Sequence, residues 1–263
     1  MPSSALYVAR TGLQAQDTRM QVISNNLANV STTAFKRDRA NFATLAYQNA
    51  RVAGQQSSDQ TAYATGVNLG TGVMVQATTT DMTQGTLTAT GNALDLAISG
   101  DGYFQVALPS GQTAYTRAGN FTTSAEGLLV TAQGYPVQPQ ITIPQGASSI
   151  TVAQDGTVSA TLQGASAPSA LGQITTATFA NPSALQARND NFYLETAGSG
   201  TPQVGPASQN GHGLIQQGYL EASNVSVVTE LVDMIECQRA YEINSKMISS
   251  VDDMLKNANQ SLT

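Results

Sequence analysis

This sequence has little charge, almost no cysteine or histidine, and long stretches without proline or glycine. Charged residues make up 11% of its 263 positions, less than half of the ~25% usual in soluble proteins. Thr, Ser, Gln, Asn, Ala and Gly fill the difference, so neither an acidic nor a basic tail is present. The net charge is −6, which excludes a general nucleic-acid binder, because phosphate binding needs clustered Lys and Arg. Cys237 is the one cysteine and His212 the one histidine. An intrachain disulfide is therefore impossible, and a zinc site would have to rely on carboxylates. No metal or cofactor is expected. No apolar run reaches the ~18 residues of a membrane-spanning helix. The opening MPSSALYVARTGLQAQ has no basic stretch followed by an apolar one, so no cleaved secretory signal is expected, which leaves export by another route open.

The gaps in proline and glycine mark out the chain. After Pro2 the next proline is Pro109, and the last is Pro206. No glycine lies between Gly12 and Gly54 or after Gly218. Beyond Pro2 both ends are thus free of proline, the strongest helix breaker, and the middle holds nearly all of it. The expected fold class is α+β: long N- and C-terminal helices forming a coiled-coil-like discontinuous domain, with a central antiparallel β-rich domain. The boundaries read as 1–45 for the N-terminal helical part and 46–75 for an extended connector between subunits. A β domain at 76–221 and the C-terminal helical part at 222–263 complete the division.

The N-terminal segment carries a heptad: Leu6, Leu13, Met20 and Leu27 recur every seven residues. A second row holds Ala9, Ile23 and Val30, with Gln16 as its polar member. Alternating steps of three and four form the a/d pattern of a coiled-coil seam. The spacing predicts a helix over about 4–31, with Asn25, Asn26 and Asn29 outside the seam and open to another chain. The C-terminal segment repeats the period through Val227, Met234, Tyr241, Ile248 and Leu255, with Leu231 opening a complementary row. A further stripe through Val232, Ile243, Met247, Val251 and Met254 widens its apolar surface, so this helix is expected to meet more than one neighbour. Asn224 or Ser226 is placed to cap it, with Glu230 at the positive end of the dipole. Between the ends, short runs of Thr, Val, Tyr and Phe broken by Gly100-Asp101-Gly102, Pro109-Ser110-Gly111 and Asp155-Gly156 predict strands and hairpins. Residues 51–72 are polar and punctuated by glycine, an extended connector rather than a core element.

Residues 24–42, SNNLANVSTTAFKRDRANF, resemble the N-terminal signature of the flagellar axial proteins, those of rod and hook. The residues that carry the likeness are Asn25, Asn26, Ala28, Asn29, Thr32, Phe35 and Lys36. Family members commonly have glycine where this chain has Ala34, and the backbone is expected to differ there because alanine tolerates positive φ poorly. Residues 217–255 are similar to the matching C-terminal signature, including Glu230, Leu231, Met234, Ile235, Gln238, Arg239, Tyr241 and Glu242. ALDLAISGDGYFQV followed by AYTRAGNF is similar to the family's core β domain. The length and the insert-like Tyr47–Val73 place the likeness with the distal rod rather than the hook.

The resemblance implies a function without chemistry. Subunits would pass through the flagellar export apparatus largely unfolded and assemble with one another into a helical tube. The terminal helices would form the inner tube and the β domain its outside. The tube would cross the periplasm within the basal body and transmit torque from motor to hook. Its implied partners are further copies of the chain, proximal rod proteins, hook protein and the surrounding ring, or bushing, proteins. The residues expected to carry self-assembly are Leu6, Leu13, Met20, Ile23, Leu27, Val30, Leu231, Met234, Tyr241, Ile248 and Leu255. A proximal rod subunit is the alternative within the family, and a periplasmic glycan hydrolase the alternative outside it. For the latter, Asp95 and Asp101 are a carboxylate pair on offer, although Asp-Gly after a strand usually marks a turn. Lys36, Arg37 and Arg39 form a small basic cluster, read as a solvated turn that pairs with a neighbour's carboxylates. His212, between glycines, reads as a loop residue, and Cys237 as a small packing residue.

Overall fold

Two helices and a set of mostly short antiparallel strands make up the computed structural model, which describes residues 2–58, 61–163 and 167–262. The chain divides into a helical unit of residues 1–28, 38–80 and 226–263, and a β unit of residues 29–37 and 81–225. The segment 29–37, grouped by the sequence reading with the N-terminal helix, belongs to the β unit.

In the helical unit, α1 spans Pro2–Ala28 and α2 spans Val227–Leu262. α1 stops three residues short of the expected end because Asn29 turns the chain. Its carbonyl accepts the Thr32 N–H at 3.1 Å, and its side-chain oxygen accepts the Thr32 hydroxyl at 3.1 Å. This is the local competition with helix that asparagine offers. Val30, assigned to the seam by its spacing, therefore lies beyond the helix. At the start of α2, Ser226 directly precedes the helix, and its carbonyl accepts the Glu230 N–H. Asn224 does not cap it. Its side chain instead accepts from the Arg37 N–H at 2.7 Å and donates to the carbonyls of Asp81 and Thr83.

Residues 38–58 and 61–80 form a two-stranded ribbon built from three nested pairs. Strand β1 (Asp38–Thr44), β2 (Tyr47–Arg51) and β3 (Gln56–Ser58) run out. β4 (Thr61–Ala62), β5 (Val67–Gly70) and β6 (Val73–Thr80) return. β1 pairs with β6, β2 with β5 and β3 with β4, all antiparallel. The segment read as an extended connector is thus the outer part of this ribbon, hydrogen-bonded along its length. The inner part lies on α1, where the Thr11 hydroxyl accepts the Val73 N–H at 3.4 Å. Gly72 (φ 120°) leaves room there, since a Cβ would stand 2.2 Å from that hydroxyl.

The β unit is organised around the strand Tyr103–Ala107, whose residues 103–106 are all buried. On one edge it pairs with Thr113–Thr116. On the other it pairs with Thr175–Thr178 through Tyr103 and Phe104, and with Val137–Gln138 through Gln105 and Val106. A strand covered on both faces cannot show polar alternation, and the single polar residue, Gln105, donates to the Thr175 hydroxyl at 3.1 Å. Leu96, Ile98, Phe104, Phe121, Val137, Ile141, Ile174 and Ile215 form the main core, with Phe104 and Phe121 edge to face at 5.1 Å. Asp155-Gly156 turns the hairpin between Ala147–Val152 and Thr157–Leu162, as its sequence predicts. The Asp155 carboxylate accepts both the N–H and the hydroxyl of Thr157 at 2.9 Å, which holds its carboxyl below the usual range.

Ala34 adopts φ 57°, the left-handed conformation that glycine takes without strain. The expected departure from a glycine-like backbone does not occur. Ala34 is buried and its N–H is held by the Glu221 carbonyl at 2.8 Å, which fixes the conformation against the preference of its own Cβ. Gly119 meets a different constraint. A Cβ there would lie 1.6 Å from the Leu96 carbonyl oxygen, which no side-chain adjustment relieves. Gly119→Ala is expected to destabilise the β unit by about 3 kcal/mol or more, read as a fall in the denaturation midpoint. An unchanged midpoint would show that the segment at Gly119 moves freely away from Leu96.

Candidate functional site

The helix pair of the helical unit is antiparallel and held by polar groups. Asn26, 1% exposed, carries most of this work. Its side-chain oxygen accepts the Asp38 N–H and its amide donates to the Asp38 carbonyl, both at 2.9 Å, and also to Glu230 at 3.2 Å. The amide thus replaces a strand partner for Asp38 and holds the first turn of α2 at the same time. Asn26 is not open to another chain as its position in the heptad implied. Glu230 is buried in the positive end of α2, where the helix dipole favours a carboxylate.

Further along, Arg19 donates to Asp233 at 3.0 Å and lies 3.6 Å from Glu236. The Cys237 thiol is fully buried and faces the carbonyl and side-chain oxygen of Gln16 at 3.1 and 3.3 Å. Burial pushes that thiol above its ordinary pKa, which suits a packing residue. Gly12 faces Asn244, with space for a Cβ no closer than 3.2 Å from the amide nitrogen.

The residues that meet across the pair are therefore Gly12, Gln16, Arg19 and Asn26 on α1, and Glu230, Asp233, Cys237 and Asn244 on α2. The α2 row with the strongest apolar heptad does not take this place. Met234 and Ile248 are half-buried, while Tyr241 is 44% and Leu231 44% exposed. The side chain of Leu255 lies outside the described part of the structure. On α1, Ile23 is buried and Leu6, Leu13, Met20 and Leu27 are half-buried, flanking the contact. Leu13 and Tyr241 are brought together in one open depression with Arg10, Gln14 and Asp17. Val228, Val232, Ile235, Ile243, Met247 and Met254 are exposed along α2, Ile243 at 61%.

The β unit has its own buried polar cluster. Lys36 is 2%, Arg117 4% and Glu221 1% exposed. The Glu221 carboxylate accepts from the Lys36 ammonium at 2.5 Å, the Arg117 guanidinium at 3.2 Å and the Gly85 N–H at 2.9 Å. Lys36 also donates to the Thr83 carbonyl and Arg117 to that of Gly100. The guanidinium lies 5.3 Å from the centre of the Tyr103 ring. Burial lowers the Lys36 pKa, with Glu221 pulling the other way, and burial raises that of Tyr103. Lys36 is thus no part of a solvated turn. Its signature neighbour Phe35 is half-buried, while Asn25, Gln238 and Arg239 lie on the surface of their helices.

Spacing did not single out Arg117 or Glu221. The available signal was their isolation: between Arg117 and Arg188 only Glu126 and Asp155 are charged, and Glu221 follows a run without Asp, Glu, Lys or Arg over 196–220. Of the carboxylates offered for catalysis, Asp101 is exposed and Asp95 has structural partners. Asp95 accepts from Thr90 at 2.6 Å and from Asn92 at 3.1 Å, and buried His212 shares a hydrogen bond with Thr176 at 2.8 Å.

This is the surface of a structural subunit, with apolar side chains placed for association. Three family comparisons bear this out. The flagella basal body rod protein family matches residues 6–36, and the flagellar hook protein FlgE/F/G D1 domain matches 97–160. The flagellar basal body rod FlgEFG protein C-terminal family matches 216–261. The flagellar basal-body rod protein FlgG of Buchnera aphidicola subsp. Acyrthosiphon pisum is 48% identical over 256 residues, 97% of this chain and 98% of its own. That of Caulobacter vibrioides is 49% identical over 257 residues, again 97% and 98% of the two chains. The basal-body rod protein FlgF of the same bacterium is 35% identical over 262 residues, 97% of this chain and 96% of its own. The chain belongs to the flagellar basal-body rod protein family, nearer to these FlgG members than to that FlgF. It is a structural component of the flagellar basal body, not an enzyme, and assembles with other axial components.

The buried triad yields a directional test. Glu221→Gln leaves two buried cations without a counter-charge and is expected to cost about 3–5 kcal/mol. Lys36→Met leaves Arg117 and Glu221 in balance and is expected to cost clearly less. Denaturant unfolding of both variants decides this, and a larger loss for Lys36→Met would contradict the charge accounting.

Proposed function

We propose that copies of this chain assemble helically into the distal part of the rod, a stiff hollow shaft that carries torque from the motor to the hook. α1 and α2 line the inner tube and the β units lie outside. The subunit travels through the flagellar export apparatus and crosses the periplasm in the assembled rod. Its neighbours are proximal rod subunits, hook subunits and the ring proteins around the shaft.

The observation that supports this most is the row of exposed apolar side chains on α2. Val232, Ile235, Ile243, Met247 and Met254 are each about half exposed. Full burial of such a side chain contributes roughly 1.5–3 kcal/mol, so covering the exposed halves of all five contributes on the order of 5 kcal/mol. That only reaches the low end of the roughly 4–15 kcal/mol that association costs. One neighbour is marginal and several together are sufficient, which is the behaviour of a polymer subunit rather than of a dimer.

The ribbon supports the stiffness. Its outer half, β2 and β5, is exposed on nearly every residue, with Tyr47, Val52 and Leu69 each more than half exposed. Isolated two-stranded ribbons are marginal in water. This one is stiffened by Arg51 stacked over Tyr63 at 4.0 Å. It acts as a strut between neighbouring subunits and locks their sliding.

Two experiments follow. Ile243→Asp alters an exposed position, so the chain is expected to keep its helicity and its denaturation midpoint while forming no tubes by electron microscopy. Normal tubes would sink the role of the α2 row. Excising residues 48–69, a cut matched to the Gln48–Leu69 pair, and closing it with Asn-Gly should leave a polymer that assembles but bends. Tubes as straight as the parent's would show that the ribbon is not the stiffener.

A further inference from the structure

In a helical assembly every α1 has several α2 helices within reach, its own and those of other copies. All of them carry the same apolar stripes, and hydrophobic contact is non-directional. Something must select the correct partner and the correct axial offset. The groups that α1 and α2 of one chain direct at each other are mostly polar, and they are spaced in step. Asn26, Arg19 and Gly12 lie one heptad apart on α1. Glu230, Cys237 and Asn244 lie one heptad apart on α2. Four matched rungs result: Asn26 with Glu230, Arg19 with Asp233, Gln16 with Cys237, and Gly12 with Asn244.

We propose that this ladder is a register lock: it selects the chain's own helix over a neighbour's and sets the offset at which the pair meets. The physical reason is the asymmetry of polar burial. A buried amide or carboxylate that loses its partner is strongly penalised, whereas an apolar side chain slides past another at little cost. A slip by one heptad in one direction would carry Glu230 to Arg19 and leave the Asn26 amide beyond the start of α2, and a slip in the other direction would set that amide against Cys237. Either slip would also drive Asn244 out of the space that Gly12 leaves open. Buried polar residues that fix register at some cost in stability are the best-attested use of such groups in helix pairs. The apolar stripes are thereby released for contacts between copies. This inference rests on the assembly reading for its competing helices, but concerns pairing within the chain.

Cross-linking tests it on the full chain. Gly12→Cys with Asn244→Cys sets two thiols facing each other, since a Cβ at position 12 stands 3.7 Å from the Asn244 side-chain Cγ. Cys237→Ser removes the native thiol and keeps a donor for Gln16. After oxidation under assembling conditions, the product is expected to be almost wholly intrachain, running as a monomer on a denaturing gel. Replacing rungs by apolar pairs, Asn26→Leu with Glu230→Leu and Arg19→Leu with Asp233→Leu, should keep the helicity while interchain multimers replace the intrachain product. A charge reversal makes the test independent of how those variants fold. Arg19→Asp alone should shift product toward multimers, and adding Asp233→Arg should restore the intrachain bond. An intrachain product unchanged by the apolar pairs and by Arg19→Asp would overturn the lock. Electron microscopy of the same samples reports separately on tube formation, so failure of the lock and failure of the assembly reading are distinguishable.

Discussion

The carboxylate of Glu221 is the constraint on which the β unit depends. It is the only counter-charge, among the described residues, within bonding distance of both Lys36 and Arg117, and it also holds the Gly85 N–H. These four residues come from four separate segments. One is the stretch that follows α1, and another is the strand Tyr219–Glu221, close before α2. The backbone of the same residue fixes Ala34 in the left-handed region. The points where the chain enters and leaves the β unit are thereby fastened to each other and to the turn at Arg117. A buried ionic cluster of this kind is no economical source of stability. It specifies one arrangement, because every alternative strands a charge.

The helical unit applies the same logic with weaker groups. Asn26 acts as a strand partner for Asp38 and as a donor to Glu230, so one side chain joins α1, the ribbon and α2. The face between the helices is thus spent on specificity, and most apolar side chains of α2 are left outward. In an ordinary monomer that division would be a liability, since large exposed apolar patches promote association. In a basal-body rod subunit, association is the function. The low charge of the chain fits the same purpose, because like-charged copies stacked in a tube repel one another.

Much of this was legible in the sequence. Ends free of proline beyond Pro2, and of glycine but for Gly12, declared two helices, and the Asp-Gly and Pro-Ser-Gly turns declared the hairpins. SNNLAN, TRAGNF and the C-terminal signature carried the family. Local preference and local spacing suffice for these features because each depends on residues near in sequence. The ribbon was harder to see. Residues 51–72 lack the alternation of a strand with one buried face, because the ribbon has no buried face there, and pairing alone leaves no hydrophobic pattern.

What the sequence determined by itself is the set of elements and the chemical character of each face: apolar stripes at helical spacing and an uncharged strand-rich middle. Only the tertiary structure decided which stripe faces inward. On α2 the chosen row is Glu230, Cys237 and Asn244, and not the more apolar row through Met234 and Tyr241. Periodicity ranks faces by hydrophobicity, whereas the fold ranks them by whether a matching partner stands opposite. Asn26, Gln16 and Gly12 supply that match from more than two hundred positions away. The same holds for Lys36, Arg117 and Glu221, whose charges acquire meaning only when folding removes the water between them.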